Sequence, residues 1–404
     1  MKMAMALDGI KVVDMTQWYQ GPVVTAHLAD MGAEVIKIEN PRGGDPGRGV
    51  MATASIPTSG WNSYFQTNNR GKRSVSVDSS TDKGREIVHK LIKDADVFVC
   101  NMLRPTIKKL QMDYETLSKI NPRLIYLFVS TFGRYGEGKD KPGYDPQGQG
   151  RVGVMLALGE PGQNPVYTGS ATGDAMGALI GAYAVMVALY HREVTGEGQE
   201  VDTSLLGSFI PAAADLLLPY LGTRDHDLTK QHSRKERPNA LWNVYRAKDD
   251  KWICMCIEDS SEMWARFCKG AGLEKVKKDA MFADPQKRRE NSKSLIAALD
   301  DVLATRTRDE WLAGWKGLPV GPVNNFADLA ADPQPWANDY IIEVDDPKFG
   351  RQWQRGICVQ LSKTPGKIRD LGPELGQHTE EILVDRLGYS WEDIAKLKDE
   401  KVIL

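Results

Sequence analysis

Asp174 stands in the stretch Tyr167-Thr-Gly-Ser-Ala-Thr-Gly-Asp-Ala-Met-Gly-Ala-Leu-Ile-Gly-Ala, directly after a small Thr172-Gly173 pair and at the head of a long apolar run. Those neighbours predict a helix that opens at the carboxylate and holds it rigidly. The dipole and the free N–H groups of a first helical turn favour its charged form. Two roles fit such a side chain: a helix cap, the ordinary use of Asp at that position, and an ionised nucleophile. The other residues able to do chemistry narrow the choice. Five cysteines (Cys100, Cys254, Cys256, Cys268 and Cys358) form an odd set without disulfide-like spacing. Cys254 and Cys256 alternate on one side of a predicted strand, and no second pair completes a zinc site. Reduced thiols in a cytoplasmic protein are expected.

The elements that must position these residues follow a regular rhythm. Lys11-Val-Val-Asp-Met reads as a short buried strand, followed by a loop through Gly21-Pro22, a helix over 23–31 and a second strand over 34–39. The alternation continues with strands over 74–77, 97–100 and 124–130 and helices over 83–92 and 114–120. Apolar strands alternating with helices predict an α/β fold, with a parallel sheet covered on both faces. A dinucleotide site is excluded by the first turn, Thr16-Gln-Trp-Tyr-Gln-Gly-Pro, which lacks the glycine fingerprint and places bulky Trp18 and Tyr19 where a pyrophosphate would approach. Gly133 to Gly153 reads as a glycine- and proline-rich loop, and a loop of more than about 15 residues in a compact domain is usually functional.

Beyond the apolar run the chain returns as a strand from Glu200. Residues 221–239 read as an exposed polar linker. A smaller α+β unit follows, with a hairpin around Lys248-Asp-Asp-Lys and helices over 260–270, 292–305 and 309–316, the last opened by a Thr307…Glu310 capping box. The chain is expected to leave that unit after Gly317-Leu-Pro-Val-Gly-Pro-Val.

Composition removes other classes. The 404 residues carry a formal net charge of −2, which gives no reason to expect nucleic acid or an anionic membrane as a partner. The N-terminus lacks the apolar core of a signal peptide. Ala175 to Tyr190, 16 residues, is short for a bilayer and rich in small residues, and reads as a buried core helix.

Several stretches then carry a family resemblance: Leu7-Asp-Gly-Ile-Lys-Val-Val-Asp14, Asp30-Met-Gly-Ala-Glu-Val-Ile-Lys-Ile-Glu39, Asn69-Arg-Gly-Lys-Arg-Ser-Val-Ser-Val-Asp78, Ala95 through Pro105, Asn121-Pro-Arg-Leu-Ile-Tyr126, Pro142-Gly-Tyr-Asp145, Thr172-Gly-Asp174, Thr195-Gly-Glu-Gly-Gln199 and Gly376-Gln-His-Thr379. In their order and spacing the sequence resembles the class III coenzyme A transferases, the group of formyl-CoA and carnitine-CoA transferases. The resemblance implies a Rossmann-like large domain (residues 1–220, rejoined by 327–404), a linker over 221–240, an inserted small α+β domain over 241–326, and an interlocked homodimer. A related second subunit is the alternative partner. It also implies that Asp174 is the nucleophile, with CoA or acyl-CoA as substrate, a carboxylic acid as its partner and no tightly bound cofactor.

By the same resemblance Tyr19 and Gln20 border the thioester, Asn101 and Met102 touch the pantetheine, and Arg104 and Lys109 meet phosphates. Tyr144 and Asp145 lie close to Asp174. Read without the resemblance, Lys108-Lys109 is a solvated helix face and Asp145 a turn residue before Pro146. The glycine run that shields the anhydride in some members is absent between Ala240 and Gly321, and Ser233 to Asn239 is a candidate for lining the acid pocket from the partner. Trp18, Tyr19, Trp61 and Tyr64 read either as core packing or as the wall of a pocket for an apolar or aromatic acid rather than a small dicarboxylate, and Arg237-Pro-Asn and Trp336-Ala-Asn-Asp-Tyr resemble transferases for aryl or branched 2-hydroxy acids. The nearest rival is an α-methylacyl-CoA racemase, which needs a loop histidine as a second acid–base group. None of His27, His89, His191, His226, His232 and His378 lies in that loop, where Tyr144 stands instead. A non-catalytic acyl-CoA-binding subunit is the other reading, and an intact Asp174 argues against it.

Overall fold

The structure, a computed structural model, describes residues 5–404 apart from Ser55, Ser59, Ser170 and Lys230, so the first four residues of the N-terminus discussed above lie outside it. Two compact units are present. The first runs to Met155 and takes in Tyr167–Leu218 and Trp336–Leu404; the second comprises Leu156–Val166 and Pro219–Pro335.

In the first unit six strands form one parallel sheet: β1 (Lys11–Met15), β2 (Glu34–Glu39), β3 (Lys72–Ser76), β4 (Val97–Cys100), β5 (Ile125–Ser130) and β6 (Gln199–Ser204). Their order, β3-β2-β1-β4-β5-β6, reverses between β1 and β4, and such a switch point opens a crevice at the carboxyl ends of the strands. Alternate residues serve opposite faces, as the strand period requires. Val12, Val35, Val97, Ile125 and Leu127 pack with Val23, Val24 and Leu28 of helix α1 (Gln20–Asp30). Val13, Ile36, Phe98 and Tyr126 pack on the other side with Ile87, Val88 and Leu91, and with Ile382, Leu383 and Leu397 from the C-terminal tail. Burial on both faces explains the near-continuous apolar strands.

Three local expectations are corrected. Helix α1 begins three residues early, at Gln20, because Pro22 falls in its first turn, where a missing N–H is tolerated. The strand expected over 74–77 starts at Lys72, whose charge disguised a buried position. The glycine-rich stretch expected as a loop folds in its second half into α2 (Asp145–Val152), with Pro146 again in the first turn and the Tyr144 N–H donating to Gln147 Oε1 at 2.9 Å.

The apolar run becomes α3, Thr172–Thr195, a helix of 24 residues. It is long and apolar enough to cross a bilayer, whereas the sequence reads as a buried core helix. Only one face is buried: Gly177, Ala178, Gly181 and Val185 face the interior, with Gly181 against Val24 of α1 and Leu127 of β5. The other face leaves Leu179, Tyr183, Val187, Tyr190 and Val194 exposed, with Tyr190 at 75% and Val194 at 71%. Helix α4 (Leu205–Ala212) follows β6 and lies against α2 and α3.

The second unit is built on an antiparallel sheet of β7 (Trp242–Arg246), β8 (Trp252–Cys256) and β9 (Val320–Val323). The hairpin and the Thr307–Glu310 capping box stand where expected. Within Gly317-Leu-Pro-Val-Gly-Pro-Val, after which the chain is expected to leave the unit, Val320–Val323 forms its third strand, and the unit runs on to Pro335. Its core stacks Trp264 on Phe267, Phe267 on Trp315 and Trp315 on Trp311. Within 221–240, Arg234 is anchored to Asp300 at 2.7 Å, and its backbone N–H reaches Glu160 at 2.9 Å.

Candidate active site

Asp174 is the third residue of α3, and its first turn is brought close to two neighbours by glycine. A Cβ on Gly173 would land inside the Phe209 ring of α4, and one on Gly177 would collide with the Gln20 side chain of α1. This close approach brings the Gln20 backbone within reach of the Asp174 carboxylate, whose charged form it favours. The free N–H groups of the first turn do not serve Asp174. Asp145 Oδ2 accepts them, from Gly173 at 2.7 Å and from Asp174 at 3.0 Å. Asp145 is therefore the cap of α3, supplied from α2, and Gln149 holds its other oxygen at 2.5 Å.

This reverses the expectation that the helix start keeps Asp174 charged. Burial first, and then the Asp145 charge, push Asp174 up to about 7, with the Gln20 backbone opposing them. The side chain is enclosed on most sides while keeping an opening to solvent. A carboxylate so placed is poorly solvated and close to its ionisation point at neutrality, the condition of a reactive nucleophile.

Aromatic side chains lie near Asp174. Tyr64 lies in the field of Asp174, and burial, Asp174 and Asp45 all hold its hydroxyl neutral. Tyr19 meets Tyr64 edge-on at 5.8 Å, and Trp18 meets the exposed Tyr144 at 5.7 Å. Tyr167 feels both carboxylates, and burial raises it as well. Tyr19, Gln20, Tyr144 and Asp145 are thus gathered with Asp174. Trp61 does not join them: it is buried and its indole donates to Asp346 at 2.9 Å.

The remaining expected residues are placed around the β1 and β4 ends. Asn101 makes a paired contact with the backbone of Gln17, accepting at 2.9 Å and donating at 2.7 Å, and so ties the two switch-point loops together. Met102 packs at the edge of the core beside it. Arg104 pairs with Asp202 at 2.6 Å and Glu200 at 3.3 Å, and stacks over Phe128, so a phosphate arriving there competes with two carboxylates. Lys109 is exposed at the end of the Arg104–Lys109 helix. Among the described residues no group of three metal-ligating side chains converges.

Sequence reasoning missed the buried charges beneath the β1–α1 turn. Asp14 accepts from Thr16, Thr25 and Lys72, and Lys72 and Lys37 hold it down to about 2 against the opposing effect of burial. Lys37 pairs with Asp45 at 2.9 Å. The available signal was Lys37, set between Ile36 and Ile38 inside a strand, where a charge demands a buried partner; Lys72 opens the polar strand Lys-Arg-Ser-Val-Ser and gave no such signal.

Comparison with known proteins agrees with this geometry. A family model described as CoA-transferase family III matches residues 7–379. The chain is 32% identical to a protein of Chloroflexus aurantiacus named succinyl-CoA–L-malate CoA-transferase beta subunit, over 98% of each chain. It is 31% identical to a (R)-2-hydroxy-4-methylpentanoate CoA-transferase of Clostridioides difficile, over 99% of this chain and 100% of that one. A crystal structure of a CAIB/BAIF family protein from Brucella suis superposes with a TM-score of 0.83 at 31% identity, covering 95% of this chain and 99% of that one. The chain belongs to family III of the CoA-transferases.

Proposed function

We propose that the protein moves CoA from an acyl-CoA donor to a carboxylic acid, with Asp174 as the nucleophile. The observation that carries this is a desolvated carboxylate on the first turn of α3, repelled by the Asp145 that caps that turn and neighboured by Tyr64 and Tyr167. An Asp174 oxygen attacks the thioester carbonyl, the C–S bond breaks, and CoA leaves as thiolate with an aspartyl mixed anhydride behind it. The thiolate attacks the aspartyl carbonyl and expels the donor acid as carboxylate, giving an enzyme–CoA thioester. The acceptor carboxylate attacks that thioester, CoA thiolate leaves again, and its attack on the acceptor's acyl carbon frees Asp174. One thioester is exchanged for another, so no net proton or external energy source is needed.

The Gln20 backbone and the α1 terminus stabilise the oxyanion character of the aspartyl carbonyl during these attacks. Asn101 and Met102 border the pantetheine, and Arg104 and Lys109 face the phosphates. The acceptor is an aryl or branched 2-hydroxy acid, a reading supported by Trp18, Tyr19 and Tyr64 and by the acid in the name of the Clostridioides relative. Racemase chemistry is disfavoured because the charged neighbour of Asp174 is a second carboxylate, not a histidine. The exposed stripe of α3 supports a homodimer.

Incubation with acyl-CoA followed by hydroxylamine should leave a hydroxamate on Asp174, detected by peptide mass spectrometry. Asp174→Asn should form none and lose transfer by at least about 10³-fold, the scale of removing a covalent nucleophile. Retained exchange between carboxylates in that variant would sink the reading.

A further inference from the structure

Gln20 lies at the end of the turn joining β1 to α1, and buried charges grip that turn from outside it. Lys37 Nζ of β2 lies 2.8 Å from the Thr16 carbonyl and 2.9 Å from Asp45 Oδ2. Asp45 Oδ1 accepts the N–H of Trp18 at 3.0 Å and that of Gly47 at 2.8 Å. Lys72 Nζ of β3 lies 2.8 Å from Asp14 Oδ2 and 2.8 Å from the Pro22 carbonyl. The turn is therefore held at residues 16, 18 and 22. None of Asp14, Lys37, Asp45 and Lys72 is more than 3% exposed.

Buried ion pairs are not an economical source of stability, since apolar residues of similar volume often do as well or better. The backbone supplies another reason for this one. Trp18 has φ of 70°, a left-handed conformation that a bulky side chain adopts only when its surroundings hold it there. Two residues later stands Gln20, whose side chain lies against Gly177 in the first turn of α3 and whose backbone favours the charged form of Asp174.

We propose that Asp45, clamped between Lys37 and the Trp18 amide, is a positioning residue for CoA transfer: it holds the left-handed turn that delivers the Gln20 backbone to Asp174. This rests on Asp174 as nucleophile. Among the described contacts Asp45 makes none to Asp174, and it acts through the backbone of residues 16–20.

The test is the Asp45→Ala enzyme, its folding checked by thermal melting, with kcat, KM for acyl-CoA and the pH dependence of kcat measured beside wild type. The expected loss in kcat is about 10²-fold, the scale of a misplacement near 1 Å, with KM within about threefold of wild type because uniform binding is untouched. The titratable groups facing Asp174 are Asp145 of α2, Tyr64 of the Ser63–Asn68 helix and Tyr167 of the segment before α3. Deleting a nearby carboxylate would by itself ease Asp174 ionisation and move the acid limb of kcat to lower pH. Loss of the Gln20 backbone contact moves it to higher pH, and that upward movement is the expected result.

Asp45→Asn keeps an oxygen for the two amides and serves if Asp45→Ala does not fold; a smaller loss with the same upward movement is expected. A folded variant with kcat within about threefold of wild type, or with an acid limb that is unmoved or lowered, would overturn the proposal. The rate of Asp174 adduct formation separates the two claims. A wild-type enzyme that forms no adduct overturns the nucleophile, whereas equal rates in wild type and variant overturn the role of Asp45 alone.

Discussion

At the scale of single residues, the informative quantity is the proton on Asp174. Its folded-state value near 7 lies well above that of an ordinary carboxylate, because burial and Asp145 both oppose the charge. The folded state therefore binds this proton more tightly than the unfolded chain does. Stability falls as pH rises from the ordinary aspartate range to about 7, and the cost is constant above that, at most about 4 kcal/mol. Asp174→Asn, which carries no such charge, should gain stability over wild type progressively between pH 4 and pH 7, with the difference level beyond, as read by urea melts. A variant no more stable than wild type at pH 8 would contradict the burial argument. Activity should follow the opposite course, rising through about pH 7 to a plateau as the carboxylate ionises. Asp145→Asn removes the repelling charge, so its acid limb should lie below that of wild type in a pH–kcat series. None of this was legible in the sequence, which suggested a helix start favouring the charged form. The error was local: the N–H groups of that helix are taken by a carboxylate 29 residues earlier in the chain.

At the scale of elements, the strands were readable because burial on both faces makes them continuous apolar runs, and β1, β2 and β4 lie where the sequence puts them. What escaped was structure built from residues that ordinarily argue against it. Lys72 opens β3 with a charge, and α2 is rich in glycine and begins with Asp-Pro. Glycine in α3 was read as a packing surface, and Gly173, Gly177 and Gly181 do lie where Phe209, Gln20 and Val24 leave no room for a side chain. Gly173→Ala should therefore destabilise the fold by about 1–3 kcal/mol, the ordinary penalty of overpacking. Adding Phe209→Leu should recover part of that loss, because the two sites share one contact. Additive losses in chemical denaturation would show that the helices do not meet there.

At the scale of the whole molecule, the exposed stripe of α3 is the feature a lone chain leaves unexplained. Leu179, Tyr183, Tyr190 and Val194 form an apolar face at helical spacing, on an element whose opposite face is firmly seated. A second copy of the chain is the occupant we propose. Tyr183→Glu combined with Tyr190→Glu should shift the protein from dimer to monomer in light scattering at micromolar concentration. A monomeric wild type, or a dimer indifferent to these charges, would refute it. The sequence marked this helix as apolar but could not say which side is covered, since small and large apolar residues alternate round it.

The charge repulsion between Asp145 and Asp174 has a consequence for what can be caught during turnover. Under the proposed mechanism an anhydride or thioester at Asp174 carries no negative charge, so each such covalent state would be released from the repulsion that the ionised resting state bears. The modified forms are thereby lowered relative to free enzyme, and an enzyme mixed with donor and starved of acceptor should accumulate as its CoA adduct, stable enough to crystallise.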